Sequence, residues 1–148
     1  MEHSERQWPF GRQAVIGLLT EYGIQPTQQR VDIAGILFDH PQHMSADQVL
    51  TCVNKSRPTV SKATVYNTLG LFAEKGLIRQ VIVDPNRVFY DSNNLEHHHL
   101  YNIDTGKLVD IPVGHLKVEG LPELPHDVVA EGVEVIVRVR NKPTRLFP

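Results

Sequence analysis

The hydrophobic pattern of this chain changes period once, at Gly76, and that change limits the folds open to it. Before Gly76 the apolar residues recur at helical spacing in four separate stretches; after it they alternate as strands do. Arg12 to Tyr22 puts Val15, Leu18, Leu19 and Tyr22 on one face and stops at Gly23. A second stretch opens at Pro26-Thr27 and carries Val31, Ile33, Ala34, Leu37 and Phe38. The third begins behind Ser45, a suitable N-cap with Asp47 and Gln48 in the first turn, and runs to about Asn54. The fourth starts at Ser61, with Val65, Leu69, Phe72 and Ala73 on one side and Ala63, Asn67, Gly70 and Glu74 on the other. That second side carries Glu74 alone where a solvated helix usually shows several Lys and Glu, as though something must approach it closely. Leu77–Val83 and Arg87–Tyr90 are then β-rich runs around an Asp84-Pro85-Asn86 turn. Three helices, a connector, a fourth helix and a hairpin predict a winged helix-turn-helix with one extra N-terminal helix.

Ser92-Asn93-Asn94 reads as a short polar hinge, so the expected domains are 1–91 and 92–148, an α+β chain overall. In the second, Leu100–Ile103 and Lys107–Ile111 read as strands around Asp104-Thr105-Gly106. Pro112 to Asp127 is too rich in Gly and Pro for more than a short helix or irregular cover. Val129 to Val139 alternates, with Val133, Val135, Val137 and Val139 on one face, and is expected to form a long strand. So few elements bury little, so this small α/β unit is expected to complete its core as a homodimer.

Asp91, His97, His99 and Asp110 fall within twenty residues, and with His43 they make five potential metal ligands. His97 and His99 stand at the two-residue period of a strand, so both imidazoles leave one face. Nitrogen and oxygen donors without a thiolate suit Fe, Mn, Ni or Zn. The single cysteine, Cys52, excludes an internal disulfide or a Cys-based structural zinc site and reads as a small buried hydrophobe.

Net charge is −2, which argues against a phosphate-binding surface, but no acid lies between Asp47 and Glu74, an interval that holds Lys55, Arg57 and Lys62. No run is long enough to span a membrane and the N-terminus lacks a secretory signal, so a cytoplasmic protein is expected. A mixed His/Asp site could also serve a dioxygenase, but five protein ligands leave at most one open position on a six-coordinate ion, so no enzyme is expected.

Three motifs carry a family resemblance: Ile24-Gln25-Pro26-Thr27-Gln28-Gln29-Arg30, His43-Met44-Ser45-Ala46-Asp47, and Ala63-Thr64-Val65-Tyr66-Asn67-Thr68-Leu69. Over nearly its whole length the chain resembles the ferric uptake regulator superfamily. The resemblance implies a homodimeric, sequence-specific regulator of iron homeostasis that binds an A/T-rich inverted repeat in double-stranded DNA. It implies one divalent metal per subunit, Fe or Mn with Zn possible in vitro, held by His43, Asp91, His97, His99 and Asp110. It also implies DNA contacts from Gln25, Arg30, Arg57, Ser61, Lys62, Thr64, Tyr66 and Asn67.

The triple His97-His98-His99 is similar to the iron response regulator (Irr) branch, which makes these three residues haem-binding candidates, haem iron taking imidazole as an axial ligand. The three-His, two-Asp ligand set resembles instead the family's peroxide sensors, repressors in which peroxide reacting with the bound Fe(II) oxidises a coordinating His and frees the DNA. Two departures stand out. The family's Cys pairs are missing, so no structural zinc carries over, and Asn67 stands where many relatives have Arg, which points to adenine instead of guanine.

Overall fold

The computed structural model describes residues 6–55 and 60–144. The chain divides into two compact units, one ending at Leu95 and the other beginning at Glu96.

In the first unit α1 (Arg12–Glu21) and α2 (Gln28–Leu37) precede a three-residue strand, β1 (His43–Ser45), and then come α3 (Ala46–Val53) and α4 (Lys62–Glu74). Local chemistry sets each helix start. Thr27 accepts the Arg30 amide ahead of α2. Ser45 and Gln48 form a reciprocal capping box, Gln48 N–H to Ser45 Oγ at 3.2 Å and Ser45 N–H to Gln48 Oε1 at 2.9 Å. Ser61 Oγ accepts the Thr64 amide at 3.1 Å at the head of α4. Gly76, at φ 78°, ends it in the left-handed conformation that suits glycine. Val65, Leu69 and Phe72 are buried to 0%, with Phe38, Leu37, Leu19 and Val49 in the same core. At about 1.5–3 kcal/mol per buried large side chain this core holds the four helices together.

The wing is β2 (Arg79–Asp84) and β3 (Arg87–Asp91), closed by an Asx turn in which Asn86 N–H donates to Asp84 Oδ1 at 2.8 Å. The sheet order is β1-β3-β2. β1 was not expected from its sequence; three residues show no period, and they are a strand because β3 offers them an edge.

An N-terminal strap closes this unit. Trp8 stacks on Phe38 at 5.8 Å between centroids. Arg6 Nη1 donates to the Ser92 carbonyl at 2.6 Å, and Nη2 to Tyr22 Oη at 3.2 Å. Burial lowers the Arg6 pKa, while the Tyr22 hydrogen bond and nearby acids oppose that shift.

The second unit holds β4 (His99–Asn102), β5 (Leu108–Asp110) and β6 (Ile136–Val139), in the order β5-β4-β6, with β4 and β6 parallel. The β4–β5 turn closes through Gly106 N–H to the Asn102 carbonyl at 2.8 Å, with Gly106 at φ 73°. The long strand expected over Val129–Val139 is shortened to its last four residues. A strand extends only as far as its neighbour pairs with it, and β4 offers four residues. Val129 is accordingly 86% exposed. Residues 112–127 form turns and irregular cover without a helix. Cys52 is half-buried, not fully buried as expected, because it lies near the C-terminal end of α3.

No helix among the described residues is long and apolar enough to cross a membrane.

Candidate functional site

The ligand candidates fall in both units, and each unit assembles its own share. In the first, β1 pairs antiparallel with β3 so that His43 stands directly across from Asp91. Directly opposed residues hold their Cβ atoms about 4.5–5.5 Å apart. A His and an Asp far apart in sequence thus become neighbours through one short ladder. Asp91 is 1% exposed and accepts the Asn93 amide through Oδ1 at 2.8 Å, an Asx turn that fixes the carboxylate as the chain leaves the wing. The His43 ring stands edge-on to Phe89 at 6.2 Å.

In the second unit His97, His99 and Asp110 converge. His99 pairs with Asp110 across the β4–β5 ladder. His97 Nε2 lies 3.4 Å, and His99 Nε2 3.2 Å, from the same Asp110 Oδ1. The two imidazole centroids are 4.5 Å apart, and the three ligand atoms all lie within 4.8 Å of one another. His99 is 1% exposed and the His97 side chain 7%, whereas half of Asp110 reaches solvent. Two sheltered imidazole nitrogens and one half-exposed carboxylate form a donor set that fits a first-row divalent ion.

His98 is used differently. The Val135 N–H donates to His98 Nδ1 at 3.0 Å. A ring nitrogen that accepts a hydrogen bond carries no proton, so the neutral ring keeps its proton on Nε2. Nδ1 is engaged and Nε2 is protonated, so neither nitrogen offers a free lone pair to a haem iron. His98 is thus held by Val135, whereas the His97 and His99 rings both meet Asp110.

The helix expected to read DNA exposes Lys62, Ala63, Tyr66 and Asn67 along its N-terminal half and buries Val65, Thr68 and Leu69. Tyr66 is 42% exposed. Its hydroxyl donates to Asp47 Oδ1 at 3.2 Å, and Lys62 Nζ lies 4.0 Å from the same oxygen and 5.6 Å from the Tyr66 ring centre. Desolvation and the Asp47 carboxylate both raise the Tyr66 pKa. Ser61 and Thr64 are joined by their own hydroxyl bond at 2.9 Å as part of the helix cap. Gln25 is exposed, and its carbonyl accepts from Arg30 Nη1 at 3.1 Å. Arg57 lies outside the described residues.

Two participants were missed in the sequence. Asp47 was legible only as an acid in the first turn of a helix, and Glu134, whose Oε1 lies 3.3 Å from His99 Nδ1, only as an outward-facing strand residue. Neither carries a local signal, since their partners are distant in the chain.

Comparison with known proteins places these observations in a family. The ferric uptake regulator family model matches residues 21–124. The peroxide-responsive repressor PerR of Staphylococcus aureus (strain Mu50) is 30% identical over 95 residues, and the match covers 64% of this chain and 64% of that protein. The ferric uptake regulator from Pseudomonas aeruginosa, solved with manganese, superposes with a TM-score of 0.64 at 22% identity, covering 86% of this chain and 97% of that one. The corresponding regulator from Francisella tularensis, solved with iron, gives 0.63 at 20% identity, with 81% and 93% covered. The matched segment is most of the chain, and it includes α2 to α4, the wing and all five ligand candidates; the chain belongs to the ferric uptake regulator family.

Proposed function

We propose that this chain is a homodimeric, metal-responsive transcriptional regulator that binds double-stranded DNA through α4 and controls iron homeostasis. One observation carries the reading: His97, His99 and Asp110 bring their ligand atoms within 4.8 Å of one another, with both imidazoles sheltered. The proposed site adds His43 and Asp91 from the first unit. A bound divalent ion, Fe(II) or Mn(II), or Zn(II) in vitro, would supply a cationic centre shared by donors of both units and so couple occupancy to the placement of the DNA-reading head. The relatives solved with manganese and with iron support this choice of ions.

Homodimerisation is supported by the poor burial in the second unit. Tyr101 and Leu108 are its only fully buried apolar side chains among the described residues, while Val113, Val129 and Leu121 stay 94%, 86% and 59% exposed. Apolar surface of this kind marks an interaction face. The DNA reading is supported by α4: small residues and Lys62, Tyr66 and Asn67 line its exposed N-terminal half, at the depth a major groove admits. An A/T-rich inverted repeat fits a two-fold dimer and the adenine preference of Asn67.

Control by haem, the Irr-like variant, is less well supported than control by a divalent ion, because His98 is engaged by Val135. A peroxide-sensing variant is favoured by the three-His, two-Asp donor set and the similarity to PerR.

Metal analysis of anaerobically purified protein, followed by DNA binding with and without that metal and with haem, tests the proposal. The expected result is one divalent ion per subunit and DNA affinity that changes with its removal. DNA binding indifferent to metal in both the native chain and His99→Ala would overturn it. Peroxide treatment of the Fe(II) form that adds oxygen to His43 or His97 and releases DNA would select the sensor variant.

A further inference from the structure

We propose that Glu134 is a positioning residue for the His99 imidazole, holding its proton on Nδ1 so that the Nε2 lone pair faces the metal site; the inference rests on the metal-site reading above. The ring is 1% exposed and meets carboxylates on both edges. Asp110 Oδ1 lies 3.2 Å from Nε2, on the side His97 shares, and Glu134 Oε1 lies 3.3 Å from Nδ1. A neutral imidazole has one proton for two nitrogens. The two carboxylates compete for that proton; a cation on the side that Asp110 and His97 share displaces it from Nε2, and Glu134, beside Nδ1, is placed to favour it there, which leaves Nε2 as the donor toward the metal site.

Glu134 is held where it can do this. The next residue, Val135, donates its amide to His98 Nδ1 at 3.0 Å and accepts the His99 amide at 3.1 Å through its carbonyl. Ile136 then enters the parallel ladder directly opposite His99. Glu134 and Val135 therefore meet the His98-His99 dipeptide at three points, and the two made by the Val135 backbone, one to the His99 amide and one to the His98 ring, fix the approach of the Glu134 side chain. The Glu134 side chain is 27% exposed, so the contact is sheltered without being sealed.

The opposing account makes Glu134 an ordinary ion-pair partner of protonated His99. The two accounts differ in sign. A carboxylate that stabilises the imidazolium competes with a metal for the ring, so removing it would tighten metal binding. A carboxylate that orients the neutral ring assists binding, so removing it weakens uptake.

Co(II) titration of the full chain, followed by the d–d absorption bands, reads this directly. Glu134→Ala is expected to weaken Co(II) binding about 10- to 100-fold, the usual cost of losing the partner of a ligating histidine, and to shift the bands. Glu134→Gln, whose amide oxygen still accepts from Nδ1–H, recovers most of the affinity, and Glu131→Gln, at an exposed position nearby, leaves it unchanged. Co(II) binding by Glu134→Ala as tight as or tighter than that of the native chain overturns the proposal. If Glu134→Ala does not fold, proton NMR of the Zn(II)-loaded native protein decides: a downfield, slowly exchanging His99 Nδ1–H supports the proposal and one in fast exchange with water overturns it. His99→Ala is run alongside. Uptake lost in His99→Ala but intact in Glu134→Ala overturns the role of Glu134 alone, whereas uptake intact in both overturns the site reading as well.

Discussion

Replacing Asp47 with alanine should tighten DNA binding while it weakens the fold. Asp47 Oδ1 accepts the Tyr66 hydroxyl and sits 4.0 Å from Lys62 Nζ, so two side chains proposed to touch DNA are held by one acid. Both contacts must break before Lys62 can reach a phosphate and Tyr66 a thymine methyl. The Lys62 and Asp47 side chains are 68% and 71% exposed, so the dielectric is close to that of water and their attraction is about 1 kcal/mol. Screening and side-chain entropy leave about 0.2–1 kcal/mol of that. The Tyr66 bond is as exposed and adds about 0.5 kcal/mol, the low end for a net hydrogen bond. Together these give an affinity gain of about 3- to 10-fold. The same substitution removes an acid from the first turn of α3 and should cost about 0.3–1 kcal/mol of stability. A duplex selected from random sequence with the native protein, titrated by fluorescence anisotropy at low and moderate salt, measures the first effect, and thermal unfolding measures the second. The gain should shrink as salt rises, and most of its Lys62 share should vanish in a Lys62→Ala background. Losing the carboxylate should also bring the Tyr66 pKa down toward that of free tyrosine, so the phenol ionises earlier in a spectroscopic alkaline titration. Equal or weaker DNA binding by a folded Asp47→Ala protein at low salt would refute the reasoning.

Arg6→Ala should destabilise the first unit by about 2 kcal/mol in urea unfolding, because the Ser92 carbonyl and Tyr22 hydroxyl lose a charged donor; a change within error would show the strap to be ornamental. Asn67→Arg should move the preferred base at its contact from adenine toward guanine, read by selection from random duplexes, and an unchanged consensus would place Asn67 off the bases. His98→Ala should leave any haem absorption spectrum unchanged, since the native ring is engaged by Val135; loss of the Soret band in that variant would reverse the assignment.

Much of the first unit was legible because its signals are local. Ser45 with Gln48, Thr27 ahead of α2, Gly76 after α4 and Asp84 to Asn86 in the wing are each decided within a few residues. What failed depended on distant partners. His43–Ser45 becomes a strand only because β3 presents an edge to it, and Val129–Val135 does not become one because β4 is too short to pair with it. The site divides the same way. The spacing of His97 and His99 was enough to aim both rings to one side, but the apposition of His43 with Asp91 is a property of the ladder. Asp47 meets Tyr66 nineteen residues away, beyond any period a helix or strand could display.

The three consecutive histidines show what that non-local information adds. By sequence His98 leaves the face opposite to that of His97 and His99, and either haem or a divalent ion could be read into the three. In the fold, the Val135 amide gives His98 a donor at Nδ1, which sets its proton on Nε2, while the Glu134 carboxylate, proposed to favour the proton on His99 Nδ1, lies 3.3 Å from that nitrogen. Two adjacent residues thus push two adjacent imidazoles toward opposite tautomers. Only the ring whose Nε2 is left unprotonated points its lone pair at Asp110 and His97. Strand alternation and the β4–β5 ladder bring His99 and not His98 to Asp110, and a one-residue slip of the segment alongside β4 would carry Glu134 and Val135 away from the two rings they meet.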